Sequence, residues 1–257
     1  MPRFKDQAIC IRHIDWSETS QVVALLTAEH GKVRGLAKGS KRASPSAVAR
    51  FSGGIELLTL GEAVGMVRPS SELASLTEWD LQQPYAHLRR DLAAQQTALY
   101  AADLAHAMLA DHDPHSKTFI ALAGLLDELA RPERRETGLL KYQWLLLDDC
   151  GYRPQLDNDV QSGASIVDQP TYVFDPRAGG LSASPPGAIT DTQSPAGPWR
   201  VRRATVEVLR GLTEGAADAP SQTVQRANRL LCVYARAILD RQLPTMAFVL
   251  GEEHAGA

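Results

Sequence analysis

Cysteines are few in this sequence and long apolar runs are missing, and these two absences exclude several classes of protein. Three cysteines among 257 residues are too few and too scattered for a disulfide framework or a Cys-x-x-Cys zinc site. No run of about 18 apolar residues is present to span a bilayer, and the amino terminus lacks the apolar stretch of a signal peptide. We therefore expect a cytoplasmic protein with no membrane partner, no metal and no other cofactor.

Motifs that bind nucleotides or carry a catalytic nucleophile are missing as well. The sequence has no GxxxxGK[ST] or GxGxxG loop and no GxSxG turn, which disfavours a nucleotide-driven motor. His112, Asp113 and His115, with His106 before them, could be imagined as the metal ligands of a hydrolase. The same residue types beside Pro114 are ordinary at the end of a helix, so we expect a protein that is not an enzyme.

Positive charge is concentrated at the two ends of the chain, although the net charge is −3. Residues 1–55 carry nine Lys and Arg against four Asp and Glu, residues 56–198 carry ten against twenty, and residues 199–241 carry eight against four. The segment 32–55 has six basic side chains and no carboxylate. Such a surface attracts polyanions whatever the net charge, although a loop that only keeps the protein soluble would have the same composition.

Apolar patterning predicts strands in the first third of the chain. Short segments rich in Val, Ile, Leu and Thr are separated by turn residues, and they cover 7–14, 21–28, 32–38, 55–60, 63–67 and 73–79. The stretch between the third and the fourth of these reads as a long exposed loop. Five or six strands without an intervening helix predict a small closed barrel or a sandwich.

After residue 84 the apolar residues recur every three to four positions, which predicts helices. Three apolar stripes precede residue 150, and two further helices are predicted over 199–212 and 221–241. Between these groups lies a segment rich in Pro, Gly and Ser, with a short hairpin around 171–181.

The predicted fold class is therefore α+β, with four segments along the chain. They are an amino-terminal β-barrel over 1–81, the first part of an all-helical domain over 82–150, an irregular module over 151–198, and the second part of the helical domain over 199–257.

The predicted third strand carries the most specific functional signal. Because side chains alternate along a strand, Lys32, Arg34 and Lys38 would share one face at intervals of about 7 Å or its multiples. Phosphates on a single strand are spaced comparably, and oligonucleotide-binding barrels hold single strands on such a face and its loops. The predicted nucleic-acid-binding residues, with the loop and the next strand included, are Lys32, Arg34, Lys38, Lys41, Arg42 and Arg50.

Few aromatic side chains accompany these cations. The first 80 residues contain only Phe4, Trp16, Phe51 and Trp79, and none alternates with the basic residues of the strand. Because bases stack on exposed aromatic rings, we expect binding mostly to phosphates, weakly specific for sequence and strongly dependent on salt. Binding of this kind leaves base edges free to pair, as strand annealing requires.

Four stretches of the sequence together resemble the bacterial recombination mediator family RecO. They are ETSQVVALLTAEHG at 18–31, LAKGSKR at 36–42, LLLDDCGYRPQLD at 145–157 and YVFDPRAGGL at 172–181. The resemblance implies an oligonucleotide-binding (OB-fold) barrel followed by a helical domain. All of the predicted binding residues except Arg50 fall on the strand and loop that match the family's basic DNA-contacting features.

The resemblance also implies a role in DNA repair at the nucleoid. It implies binding to single- and double-stranded DNA, annealing of complementary strands, and loading of the recombinase RecA onto strands coated by single-strand-binding protein, with RecR as a partner. A different class of function stays open: a protein-interaction scaffold whose helical domain is the functional part and which has no DNA affinity of its own.

The sequence departs from the family pattern in the irregular module. Many members carry four cysteines of a zinc site there, whereas the corresponding places in this sequence hold Asp159, Ser162, Ser182 and Ser184. We therefore expect the module to lack an intact zinc site.

The second basic region has two interpretations. Arg226 and Arg229 lie one helical turn apart and could together hold a carboxylate. The resemblance suggests the acidic, hydrophobic carboxy-terminal tail of single-strand-binding protein as the ligand. The alternative is that arginines on the outer faces of these helices are merely solvated.

Overall fold

In a computed structural model of the chain, a long first strand, β1 (Arg3–Asp15), closes the amino-terminal sheet into a barrel. One half of β1 pairs antiparallel with β2 (Gln21–Thr27) and the other half with β4 (Leu60–Met66). β3 (Lys32–Ala37) pairs with β2, and β5 (Ala74–Gln83) lies parallel to β3 and antiparallel to β4. The closed order β1-β2-β3-β5-β4 is that of an OB-fold, which confirms the predicted barrel.

The structure describes residues 3–67, 71–183, 197–213 and 219–251. The chain forms two compact units, Met1–Pro132 and Glu133–Ala257. Within the described ranges no helix has the length and apolar character that crossing a membrane demands.

The barrel interior is filled by the inward side chains of all five strands. Each of these side chains is almost completely buried, and they include Ala8, Cys10, Val23, Leu25, Val33, Ala63, Leu76 and Trp79. The alternation of apolar and polar residues along the strands therefore explains which face turns inward.

Two local predictions in the barrel region are wrong. The long loop after β3 contains a helix, α1 (Pro45–Phe51), because Ser44 caps its first turn and Pro45 suits the first helical position. The segment 55–60 is not a strand over its whole length, since Leu58 has a φ of +60° and only Leu60 belongs to β4.

Two longer helices complete the amino-terminal unit. They are α2 (Leu92–Met108), which Asp91 caps by accepting a hydrogen bond from the Ala94 N–H, and α3 (Ser116–Glu128). The apolar stripe predicted on the second of these is buried at Phe119, Leu122 and Leu126.

The carboxy-terminal unit combines helices with a small sheet. Its helices are α4 (Arg135–Asp149), α5 (Arg203–Thr213), α6 (Ser221–Leu239) and a final short turn, α7 (Ala247–Leu250). Helices α4 and α6 are joined by a buried hydrogen bond of 2.9 Å from Gln143 Nε2 to Asn228 Oδ1.

The small sheet has the order β7-β6-β8, and its first two strands in the chain lie in the predicted irregular module. The predicted hairpin is confirmed by β6 (Thr171–Asp175) and β7 (Gly180–Ser182). The predicted start of a helix at residue 199 is wrong, because β8 (Trp199–Arg202) pairs with β6 before α5 begins. Alternation explains this strand, since Val201 is buried between two exposed arginines.

Asp159 organises the irregular module by hydrogen bonding. Its Oδ1 accepts bonds from the Ser162 N–H at 2.6 Å and the Ser162 hydroxyl at 2.8 Å, and its Oδ2 accepts one from the Ala183 N–H. The Ala183 bond, followed by those from Ser162, lowers the pKa of Asp159 to about 2.

The residues at the family's cysteine positions do not fit a structural zinc ion, because zinc prefers thiolate and imidazole ligands. A carboxylate at Asp159 and a hydroxyl at Ser162 instead form a hydrogen-bonded turn. Ser182 lies in β7, whereas Ser184 falls outside the described residues.

Candidate nucleic-acid interface

The side chains of β3 alternate between the inside and the outside of the barrel, as predicted. Val33 and Ala37 are buried inside. The outward residues become more exposed along the chain, from buried Lys32 through half-buried Arg34 to exposed Lys38. The outer face of the strand therefore offers its positive charge mainly at its carboxyl end.

The structure corrects the placement of Lys32, which was predicted on the exposed face but is only 7% exposed. Its Nζ donates a hydrogen bond of 2.8 Å to the carbonyl oxygen of His106, in the last turn of α2. The same Nζ lies 3.2 Å from Asp111 Oδ1. Lysine side chains at helix C-termini satisfy free carbonyl groups and interact favourably with the helix dipole, so Lys32 has a structural role.

The chain that follows α2 covers the start of β3 and explains this burial. The His112 N–H donates to the Lys32 carbonyl oxygen at 2.9 Å. Gly31 has a φ of +70°, and a Cβ at this position would lie 2.1 Å from the Asp113 carbonyl oxygen. His112 and Asp113 thus belong to a connection packed against the barrel, and no group of three potential metal ligands clusters anywhere in the described part of the chain.

Arg34 lies on the outer face but is compensated by two carboxylates. Its Nε lies 2.6 Å from Asp111 Oδ2 and its Nη2 lies 3.3 Å from Glu72 Oε2. Burial alone would raise the pKa of Asp111, but hydrogen bonds from Arg34 and Lys32 outweigh it and hold that pKa below its usual value. Arg34 was predicted as a free cation, and the structure corrects this because its charge is balanced by residues distant in sequence.

The exposed cations are gathered in the turn after β3, which we call the basic loop (residues 38–42). The Gly39 N–H donates to Ser20 Oγ at 3.1 Å, and the Lys41 N–H donates to the Thr19 carbonyl oxygen at 3.1 Å. These bonds fix the basic loop against the turn between β1 and β2. Gly39 has a φ of +74°, which is the conformation that favours glycine.

Three basic side chains in and beside this loop extend into solvent. Lys38 and Arg42 are exposed, and neither forms an ion pair with a carboxylate of the described residues. Lys41 Nζ lies 2.8 Å from Asp15 Oδ2, and its hydrogen bond lowers the pKa of that carboxyl. Because exposed ion pairs contribute little to stability, Asp15 holds the Lys41 side chain only weakly.

Arg50 lies in the last turn of α1 and is exposed. Its Nε donates to the Ser46 carbonyl oxygen at 3.4 Å, and its guanidinium lies 5.6 Å from the centre of the Phe51 ring. Since Phe51 is buried in the barrel core, the helix holds Arg50 at a defined place on the surface.

Sequence reasoning overlooked Trp16, whose side chain is 70% exposed in the turn between β1 and β2. This is the turn against which the basic loop packs. None of the aromatic residues alternates with the cations of β3, but the turn that contains Trp16 is hydrogen-bonded to the basic loop through Thr19 and Ser20. The predicted order of neighbouring strands, β1 beside β2 and β2 beside β3, would have placed the turn with Trp16 next to the end of β3.

In the carboxy-terminal unit, Arg226 and Arg229 line a groove of about 300 Å³. Arg226 is half-buried and Arg229 exposed, one helical turn apart on α6. Trp199, Leu230 and Val233 supply apolar surface to the same groove. The structure therefore brings the two predicted arginines together beside an apolar floor, an arrangement that suits a ligand with both acidic and hydrophobic groups.

In comparisons with known proteins, both the amino-terminal and the carboxy-terminal part of the chain match models of one family. Residues 1–85 match the family model described as "Recombination protein O N terminal", and residues 89–247 match "Recombination protein O C terminal". Among similar proteins, the DNA repair protein RecO of Anaeromyxobacter sp. (strain Fw109-5) is 30% identical over 251 residues, which are 96% of this chain and 95% of that protein.

Two other relatives give comparable values. The DNA repair protein RecO of Myxococcus xanthus (strain DK1622) is 30% identical over 250 residues, covering 97% of this chain and 98% of that protein. The protein of the same name from Anaeromyxobacter dehalogenans (strain 2CP-C) is 31% identical over 257 residues, covering 97% and 96%. Both family models match, and along the chain an OB-fold barrel precedes a helical region. This chain therefore belongs to the RecO family of DNA repair proteins.

Proposed function

We propose that the protein is a non-enzymatic recombination mediator that binds single- and double-stranded DNA by its phosphates. The observation that carries the proposal is the set of exposed cations Lys38, Arg42 and Arg50 in and after the basic loop, none of which pairs with a carboxylate in the described part of the chain. Lys41 joins them when phosphate displaces Asp15. Lys32 and Arg34 are not part of the proposed site. Lys32 is bonded to a carbonyl group at the end of α2, and Arg34 is paired with a carboxylate.

A phosphate grip of this kind suits strand annealing. Contacts to the backbone fix a strand in place without engaging the base edges that must pair with a complementary strand. Such binding weakens as salt rises, because each neutralised phosphate releases counterions and this release is less favourable at high salt. We propose that the protein brings complementary strands together in this way and works at the nucleoid.

We further propose that the groove at Arg226 and Arg229 binds the carboxy-terminal tail of single-strand-binding protein. The guanidinium groups would pair with the acidic side chains or the terminal carboxylate of the tail, and the apolar floor would take its hydrophobic residue. Holding DNA with one unit and this tail with the other would allow the protein to act, with RecR, in loading RecA on coated strands.

Charge reversal tests the DNA-binding part of the proposal. We expect Lys38→Glu with Arg42→Glu and Arg50→Glu to reduce the affinity for a fluorescent oligonucleotide by at least tenfold at moderate salt. The matched control reverses three exposed cations elsewhere, Lys117, Arg131 and Arg177, which changes the net charge equally. Equal losses in the two variants would mean that net charge alone governs binding.

The scaffold function predicts a different set of results. It predicts that the unmodified protein binds neither single- nor double-stranded DNA and that protein partners are recovered from nuclease-treated extracts. DNA binding by the purified chain, lost in the charge-reversed variant and kept in the control, would exclude that alternative.

A further inference from the structure

The outer face of the barrel carries an apolar stripe next to the basic loop. Ile14 lies opposite Val22 across the β1–β2 pair, and Val22 lies opposite Leu36 across the β2–β3 pair. Residues directly opposite each other in antiparallel strands point to the same face. Ile14 is 55% exposed and the other two are half-exposed, so the three side chains form a row that crosses the strands in contact with solvent.

Trp16 lies two residues after Ile14, in the turn that follows β1. The Trp16 N–H donates to the Ser20 carbonyl oxygen at 3.0 Å, which closes the turn between β1 and β2 and leaves the indole 70% exposed. The same turn is bonded to the basic loop through Thr19 and Ser20. The exposed indole and two residues of the apolar row, Ile14 and Val22, therefore belong to the β1–β2 hairpin whose turn is hydrogen-bonded to the basic loop.

The chemistry of this surface indicates its ligand. An apolar patch rimmed by charge marks an interaction site in a soluble protein. The three cations of the basic loop, Lys38, Lys41 and Arg42, outnumber the two carboxylates of the adjoining turn, Asp15 and Glu18. Unpaired nucleic acid presents flat apolar bases beside a row of negative phosphates, which complements an indole flanked by ammonium and guanidinium groups. In duplex DNA the faces of the bases are already stacked, so the same indole has no comparable partner there.

We propose that Trp16, extended by Ile14, is a stacking site for an unpaired nucleobase of the strand whose phosphates contact the basic loop. The inference rests on the proposed phosphate site at Lys38 and Arg42. It adds a preference for single strands and for junctions that contain unpaired bases. One stacked base anchors the strand locally and leaves the rest of it free to anneal.

An oligonucleotide and its abasic counterpart of equal length separate stacking from phosphate binding, because both carry the same phosphates. We expect the full-length protein to bind the thymidine oligonucleotide about 5- to 150-fold more tightly than the abasic one, the range that corresponds to stacking of a single base. Trp16→Ala should bind both oligonucleotides with the lower affinity, and Trp16→Phe should recover part of the difference.

The control variant is Ile120→Ala, since Ile120 is also exposed, at 68%, but lies on α3. It should bind both oligonucleotides as the unmodified protein does. Fluorescence gives an independent readout: saturation with the thymidine oligonucleotide should quench emission in the unmodified protein and much less in Trp16→Phe. Of the other three tryptophans, Trp79 and Trp144 are buried, and the partly buried Trp199 belongs to β8 in the carboxy-terminal unit.

The possible results distinguish this inference from the proposed function. Equal affinity of the unmodified protein for the two oligonucleotides, unchanged by Trp16→Ala, would overturn the stacking site while the phosphate site stands. Absence of binding to either oligonucleotide would overturn both. A loss of duplex affinity in Trp16→Ala as large as the loss of single-strand affinity would also contradict stacking on an unpaired base.

Discussion

A basic residue can hold a fold together or stay exposed at the surface, and Lys32 and Lys38, at the two ends of the predicted third strand, illustrate the difference. The alternation predicted for residues 32–38 places both on the outer side. The partners that bury Lys32 were not predictable, because His106 and Asp111 come from the end of a helix more than seventy positions away. Charge counted within a segment therefore overestimates the free charge of a surface.

We expect Lys32→Met to destabilise the protein without weakening DNA binding. The substitution keeps the apolar stem but leaves the His106 carbonyl unsatisfied and Asp111 with one fewer cation, at a cost of about 1–3 kcal/mol. Urea unfolding and oligonucleotide titration measure the two effects. Lys38→Met is the matched control and should give the opposite pair of results. DNA affinity lost equally in both variants, at unchanged stability, would assign Lys32 to the binding surface.

Asp159 should make the stability of the carboxy-terminal unit dependent on acid pH. Its pKa is lowered to about 2 in the folded chain, from an ordinary value of 3.8. A group with a depressed folded pKa contributes fully above its unfolded pKa, and the contribution is lost as the pH falls toward the folded pKa. We therefore expect the free energy of unfolding, measured at a series of pH values chosen between 5 and 2, to fall as the pH is lowered. In Asp159→Asn this dependence on pH should be weaker. An identical slope in Asp159→Asn would contradict this assignment.

At the scale of elements, the short helix α1 links the basic loop to Arg50. Its signals, Ser44 as a cap and Pro45 after it, were present in the sequence. They were outweighed by the serines and the glycine around them, which are equally typical of a loop. The burial of Phe51 in the barrel core decides between the two, and this contact depends on the closed sheet rather than on local sequence.

We expect Ser44→Ala to loosen α1 while the barrel stays folded. Loss of an N-cap costs about 1 kcal/mol, whereas glycine at the same position costs only a few tenths, so Ser44→Gly is the control. Hydrogen exchange of the amides in Pro45–Phe51 should become about fivefold faster in Ser44→Ala and change little in Ser44→Gly. Unchanged exchange in Ser44→Ala would show that Phe51 alone maintains the helix.

In the carboxy-terminal unit, β8 is a second element that the local sequence pattern did not predict. Residues 199–212 were predicted as one helix because their apolar residues fit a helical period, yet β8 occupies the first four positions. Pairing with β6 satisfies its backbone groups and turns Val201 inward. A short strand at the edge of a helix is set by its partner strand, which a local periodicity does not reveal.

The groove beside β8 gives an element-scale prediction. We expect Arg229→Glu to weaken binding of a peptide with the sequence of the single-strand-binding protein tail by about tenfold or more, since charge-assisted hydrogen bonds contribute about 1.5–3 kcal/mol. Fluorescence polarisation of a labelled peptide measures this. Arg241→Glu reverses an exposed arginine beyond the end of α6 and should have little effect. Equal weakening in both variants would place the peptide elsewhere.

At the scale of the whole molecule, the order of the fold was more predictable than its surface. A strand-rich front, a helical remainder and a hairpin within the irregular module all follow from apolar period and turn residues. The assembled surface does not, because it depends on which distant acids meet each cation. Asp15, Glu72 and Asp111 pair with three of the six predicted binding residues, Lys41, Arg34 and Lys32, and so reduce the free positive charge of this surface.

The salt dependence of DNA binding tests the central claim most directly. Each single-strand phosphate neutralised contributes about −0.7 to the slope of log affinity against log salt concentration. We therefore predict that Lys38→Ala with Arg42→Ala and Arg50→Ala flattens this slope by about 2 for a single-stranded oligonucleotide. The same slope in the variant and in the unmodified protein would show that DNA phosphates do not contact these residues.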